Sequence, residues 1–175
     1  MRSWVNGKTQ IFLPAINQDV IFVFTHILHH FFIEGVGLRQ ICDWCRLLWT
    51  YRETIDIERL EKNLRAMGLM SEWRTFAALA VDWLGMPKDA IPLYSAACRW
   101  SRKAREVLGF VLETGNFGHN RDIQYSESFI GRKLSSLLLH TKDSFKLFFI
   151  FPIDTIKCWW QLLVTGTIET IKGNG

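Results

Sequence analysis

The sequence predicts an all-α fold of about six or seven helices behind a short N-terminal β-hairpin, and three observations predict it. Apolar residues recur at three- and four-residue spacing from Asn17 onward. Glycines at 35, 68, 85 and 115 each close one of these periodic stretches, as helix stops do. Strand-like patterning occurs at the start of the chain, around Asn6-Gly7. At 175 residues, 49% hydrophobic and 22% charged, the chain fits a single helical domain spanning 1–175 with a real core. Eight Trp and thirteen Phe mean that burial of large rings dominates its stability.

Ser3-Trp4-Val5 and Lys8–Leu13 flank Asn6-Gly7, a strong type I′ turn signal, and Pro14 ends the hairpin. A lone hairpin is marginal in water, so it is expected to lean on the helices or on something outside them. Asn17 or Asp19 caps a first helix running to about Glu34, where Gly35 and Gly37 break it. A second helix covers 38–51, with Ile41, Cys45, Leu48 and Trp49 at helical spacing. Asp56 caps a third, 57–67, stopped by Gly68. A fourth runs from Ser71 to Leu84, ahead of Gly85 and Pro87. The fifth covers 95–114, and the turn-rich loop Gly115–Asp122 follows it. A sixth helix covers about 127–149, Pro152 interrupts, and a last runs from about 154 to 171.

The net charge of +4 is a mild bias that does not by itself indicate nucleic acid. Arg2 leads into a polar stretch rather than the apolar run of a secretory leader. The four cysteines are too sparse for a disulfide framework, which makes a reducing, cytoplasmic setting the expectation. Two apolar stretches invite comparison with membrane spans. Val20–Ile33 is shorter than the roughly 20 residues required and holds three histidines. Phe145–Val164 is interrupted by Lys146, Pro152, Asp154 and Lys157, and each charge costs about 2.5–3.5 kcal/mol at a bilayer centre. No transmembrane span is expected; an interfacial helix against a membrane or a partner fits better.

His26, His30 and Glu34 share a helix face, and histidines at i, i+4 can chelate one metal. Further ligands are needed for a zinc site, and histidines hydrogen-bonded at a helix seam explain the pattern more simply. Cys42-Asp43-Trp44-Cys45 has redox spacing but lies inside a helix, so buried free thiols are expected there. Asp56-Ile57-Glu58 has the spacing of metal-binding carboxylates, yet a helix cap with acids at the positive dipole end explains it fully. Arg99, Arg102, Lys103 and Arg105 form a basic turn, with Glu106 placed to pair with Arg102. This reads as a solvated face, with phosphate or RNA contact as the alternative. Neither a nucleophile elbow nor a phosphate-binding glycine loop is present.

Three stretches carry a family resemblance: His26-Ile-Leu-His-His30 leading into Glu34-Gly-Val-Gly-Leu-Arg-Gln-Ile-Cys-Asp43, then Gly115-Asn-Phe-Gly-His-Asn120, then Phe151-Pro152 with Trp159-Trp160. In this order they resemble the C-terminal helical half of the uncharacterised nucleotidyltransferase family found in Bacteroidales. The resemblance implies a partner half carrying the nucleotidyltransferase sheet, a glycine-serine turn and paired aspartates. It also implies that magnesium and a nucleoside triphosphate are bound in that half, with no cofactor in this one. The chain has no Gly-Ser dipeptide, so no catalytic residue carries over, and the hairpin over 1–14 reads as a remnant of the absent half. The chain is then a split product, a truncated relative or an isolated domain.

The residues that the resemblance offers for ligand binding are His30, Arg39, Asp43, Asn116, His119 and Asn120. Arg39 and Asp43 are also spaced for an ion pair tying the second helix to the hairpin or to the catalytic half. An accessory, acceptor-side module is the expected function, with a separate catalytic domain as partner. A homo-oligomerising structural domain, suggested by the excess of Trp and Phe, and a weak nucleic-acid-binding module are the alternatives.

Overall fold

The computed structural model describes residues 2–33, 35–115 and 129–171, with side chains described for 2–33, 35–115 and 138–165. Strands β1 (Arg2–Asn6) and β2 (Thr9–Leu13) pair antiparallel, with Trp4 opposite Ile11 and Asn6 opposite Thr9. The two-residue loop is therefore Gly7-Lys8, one position later than the expected Asn6-Gly7. Only Gly7 has positive φ, at 61°. Glycine at the first loop position alone is the pattern of a type II′ turn rather than I′.

The hairpin does not lean on the helices. Trp4, Val5 and Phe12 are 58%, 62% and 60% exposed, and the rest of β2 is exposed too. Arg2 does the anchoring: its Nε donates to the Pro14 carbonyl at 3.0 Å, its guanidinium pairs with Asp19, and it lies 5.1 Å from the Tyr51 ring centroid.

Seven α-helices follow among the described residues: α1 (Ile16–Ile33), α2 (Leu38–Tyr51), α3 (Ile57–Met67), α4 (Met70–Ala78), α5 (Cys98–Thr114), α6 (Phe129–Phe148) and α7 (Pro152–Ile171). The ends of α2 and α3 fall where the sequence puts them. Asp56 Oδ1 accepts from the Arg59 N–H at 2.9 Å. Gly68 adopts the left-handed conformation, φ 73°, that closes a helix. Pro152 is the first residue of α7 rather than a break before it, a position where its missing N–H costs nothing.

Three expectations give way to tertiary structure. Neither Asn17 nor Asp19 caps α1. The Gln18 side chain reaches back to the Ala15 N–H at 3.3 Å, while Asp19 holds Arg2. Asn17 is buried, and its amide clamps the backbone of Asp56, donating to its carbonyl at 2.7 Å and accepting from its N–H at 3.0 Å. The fourth helix does not run uniformly to Leu84. After α4 it widens into a π-helical turn, Leu79–Trp83, closed by the Leu84 N–H on the Leu79 carbonyl at 3.1 Å. The fifth helix starts at Cys98 rather than 95, after a 3₁₀ turn at Lys88–Ala90 and an irregular stretch.

The core is aromatic at its centre. Phe24 of α1, Trp44 of α2 and Trp73 of α4 are fully buried, with ring centroids 4.8–5.5 Å apart. Phe76 stands edge-on to Phe24 and Phe31. Phe151, at the entry to α7, packs on Phe31 and Phe32. Trp73 Nε1 donates to the Pro92 carbonyl at 2.7 Å, which pins the turn where Leu93 takes a positive φ of 61°. Such a conformation costs a branched residue on the order of 1 kcal/mol and persists only where surrounding contacts fix it.

The Asn17 clamp joins the first turn of α1 to the start of α3 through two hydrogen bonds to the Asp56 backbone, whose carbonyl also accepts from the Leu60 N–H at 3.0 Å. Asn17→Ala is expected to lower stability by roughly 1–3 kcal/mol, read as a lower urea midpoint with an unchanged slope. An unchanged midpoint would show that water takes over both bonds.

Candidate functional site

The segment from His30 to Asp43 can be read residue by residue. The Gly35 N–H donates to the His30 carbonyl at 2.7 Å and, at φ 98°, Gly35 ends α1. Val36 is 1% exposed and plugs the core. Gln40 Oε1 accepts from the Gly37 N–H at 2.7 Å, so Gln40 starts α2 by reaching back to its first free donor. Ile41, Trp44 and Cys45 face inward. Arg39 and Asp43 are left over: both are exposed, and the expected ion pair between them does not form. Nor does either tie α2 to the hairpin, a role that falls to Arg2. Two charged residues one turn apart on α2, with no structural task, sit across the glycine turn from His30.

The histidines meet on α1 itself rather than at a seam between helices. His30 Nε2 and His26 Nε2 are 3.2 Å apart, and the His29 ring lies 5.6 Å from that of His30. His26 stacks on Phe22 at the surface. Glu34, Asn116, His119 and Asn120 lie outside the described residues. Among the described residues no group of three or more His, Cys, Asp or Glu side chains is arranged to hold a metal ion. Asp56 and Glu58 do not fit magnesium either, because Asp56 spends its carboxylate on the α3 cap.

Of the Cys42–Cys45 pair, both expected to be buried, only Cys45 is. Cys42 and Cys98 are exposed and Cys158 is half-buried. Burial pushes the Cys45 thiol up to about 12, with Cys42 adding to the rise, so it carries almost no thiolate at neutral pH. Both cysteines of the Cys-x-x-Cys pair line an apolar groove of about 420 Å³ with Trp49, Leu84 and Met86, where the π turn ends.

A second constellation escaped the sequence. Glu72, in the first turn of α4, is 2% exposed, and its Oε2 has no hydrogen-bond partner. Burial pushes its carboxyl up to about 7; the Asp154 carboxylate of α7 adds to the rise, while a hydrogen bond from its own backbone and the Lys103 ammonium of α5 oppose it. Burial also lowers the Lys103 amine, whose Nζ donates to Ser71 Oγ at 3.3 Å. From sequence, Glu72 is an ordinary acid favouring a helix N-terminus. Its burial depends on α7 arriving from far along the chain.

Beside this cluster a cleft of about 570 Å³ opens between α5 and the α6–α7 corner. Arg102, Lys103, Glu106 and Gly109 form one wall; Lys146, Phe149 and Ile150 form the other. Lys146 Nζ meets Glu113 at 2.5 Å across one end. Glu106 does not pair with Arg102 as its spacing suggested; its carboxylate lies 3.8 Å from Arg105. The Arg102 guanidinium makes no ion pair with a described residue.

Glu72 and Lys103 are an acid and a base with values drawn toward neutrality, a combination that often marks functional sites. Here the acid is sealed from solvent, so its protonation bears on stability. The folded value lies above the unfolded one, 4.5. The stabilisation is therefore complete below about pH 4.5 and is lost as pH rises through about 7. Unfolding free energies from urea titrations are expected to fall across this window by an amount on the order of 1–3 kcal/mol. In Glu72→Gln that slope should flatten; an equal slope in both proteins would place the titration elsewhere.

Residues 4–85, from the hairpin to the end of the π turn, match the family model described as Uncharacterised nucleotidyltransferase. The chain matches no curated protein and no solved structure.

Proposed function

We infer that this protein is a helical accessory module of a nucleotidyltransferase system, lending the acceptor side of a cleft whose metal-binding carboxylates lie in a separate catalytic domain. The observation that carries the reading is the pair Arg39 and Asp43. Within the stretch that matches the family, Gly35, Gly37 and Gln40 close α1 or open α2 and Val36, Ile41, Trp44 and Cys45 fill the core, whereas these two charged residues, like the neutral Cys42 between them, face solvent. Charged side chains that the fold does not use, held on a rigid helix, suit a polar or anionic ligand. Magnesium and the nucleoside triphosphate belong, on this reading, to the catalytic partner.

The hairpin supports the docking half of the reading. Trp4, Ile11 and Leu13 lie on one face, Val5 and Phe12 on the other, and the outer edges of both strands have no strand partner among the described residues. A two-stranded sheet with large apolar side chains exposed on both faces is suited to extension into a larger layered sheet. A catalytic domain's sheet edge would satisfy its free backbone groups and cover both faces.

The test is a thermal-shift and calorimetry screen of ATP, CTP, GTP and UTP with magnesium, on the wild type and on Arg39→Ala. Saturable stabilisation follows mass action on the native state. Because the triphosphate belongs to the partner, no nucleotide is expected to stabilise the chain alone; saturable binding that Arg39→Ala weakens at least about tenfold, some 1.4 kcal/mol, would place the nucleotide site in this chain instead. Equal binding by both proteins would remove Arg39 from the ligand's neighbourhood. Pyrophosphate release by the chain alone would overturn the accessory role.

A further inference from the structure

We propose that the α6–α7 corner is a docking surface for anionic phospholipid membranes: its aromatic tip seats in the interface, and the cleft behind it takes a phosphate headgroup. The proposal is independent of the nucleotidyltransferase reading and rests on residues outside the family-matched stretch.

The chain reverses between α6 and α7 at residues 149–151, and the reversal sorts its side chains sharply. Leu147, Ile150 and Phe151 turn inward and are at most 6% exposed. Phe145, Phe149 and Ile153 turn outward and are 67%, 72% and 67% exposed. The Phe149 ring lies 5.3 Å from that of Phe145 and 5.9 Å from that of Phe148, so the three form one exposed aromatic cluster. On α7 the apolar surface continues through Ile156 and Trp160, 56% and 64% exposed. The helices cannot rotate to hide these rings, because Phe151 is held against Phe31 and Phe32. A monomer seldom leaves so large a contiguous apolar patch in water without a partner for it.

Charge chooses the partner. Lys142 lies one turn from both Leu138 and Phe145 on α6, and Lys157 one turn from Ile153 and Trp160 on α7, so each apolar stripe has a lysine set into it. Protein interfaces are depleted in lysine at their centres. Helices lying in a membrane interface combine Trp and Phe with Lys, whose stems lie along the apolar surface while the ammonium reaches the headgroups. Phe149 and Ile150 are also the rim of the cleft whose other wall carries Arg102 and Lys103. Its two acids are already matched, Glu113 to Lys146 and Glu106 to Arg105, which leaves the Arg102 guanidinium for an incoming phosphate. No helix among the described residues is long and apolar enough to cross a bilayer, so the corner lies on the membrane and does not span it.

The test is co-sedimentation of the full chain with vesicles of phosphatidylcholine alone and with vesicles in which about a third of the lipid is phosphatidylglycerol. Binding to the anionic vesicles is expected to be at least tenfold tighter and to weaken in high salt. The double variant Phe149→Ser/Ile153→Ser changes exposed positions only, so its circular dichroism and melting curve should match the wild type while vesicle binding falls at least tenfold. Arg102→Glu should retain the weak binding to neutral vesicles and lose the anionic preference. Absence of binding to either vesicle, or binding that survives the double variant, overturns the proposal. A wild-type dimer in solution that this variant dissociates, without vesicle binding, overturns it in favour of a second copy of the chain as the occupant.

Discussion

The packing of Phe24, Trp44 and Trp73 against one another is the constraint on which the rest of the structure depends. These rings come from three helices, so their contact fixes how α1, α2 and α4 cross. Replacing any of them by alanine removes a ring of the size that typically costs about 3–5 kcal/mol in a core, a large share of the stability of an ordinary domain. Trp73 extends the constraint outward through its hydrogen bond to Pro92, which sets the turn on the way to α5. Phe31 and Phe76 carry it to Phe110 of α5 and to Phe151 at the head of α7. The α6–α7 corner is thereby oriented by a chain of ring contacts that begins at the centre of the core.

With orientation fixed in this way, the residues that the core does not use become informative. The helices satisfy themselves: Gly35, Val36, Gly37 and Gln40 are consumed by one turn, and Asn17 by a clamp across two helices. Among the described residues, three places that the core does not use stand out: the hairpin, the polar face at Arg39 and Asp43, and the aromatic corner with its basic cleft. The first two lie inside the stretch that matches the nucleotidyltransferase family, and the third lies beyond it.

How far the sequence could be read depended on whether each signal was local. The ends of α2 and α3 were legible because Gly37, Asp56 and Gly68 act within a few residues of themselves. Asn17 misled because a good local cap was recruited by a backbone thirty-nine residues away. The π turn was hidden because Leu79 to Leu84 contains neither Gly nor Pro to mark it, and the II′ turn differed from the expected I′ by a single position. Glu72 was illegible as anything but a helix-start acid, since its burial and its Asp154 neighbour are products of tertiary structure. Over Phe145–Val164 the sequence suggested an interfacial helix, and large apolar residues of that stretch are exposed. The cleft beside them was not legible, because α5 forms its other wall.

Native-state hydrogen exchange on the isolated chain tests most directly the claim that a self-sufficient aromatic core carries a hairpin built for another protein. The amides of α1, α2 and α4 around Phe24, Trp44 and Trp73 should exchange only through global unfolding, with urea-sensitive rates that track the unfolding free energy. Amides of β1 and β2 should exchange orders of magnitude faster, because a two-stranded hairpin without packing opens locally. Hairpin amides as protected as those of the helices would contradict the account, since the strands would then be stabilised within this chain and would not be awaiting a partner's sheet.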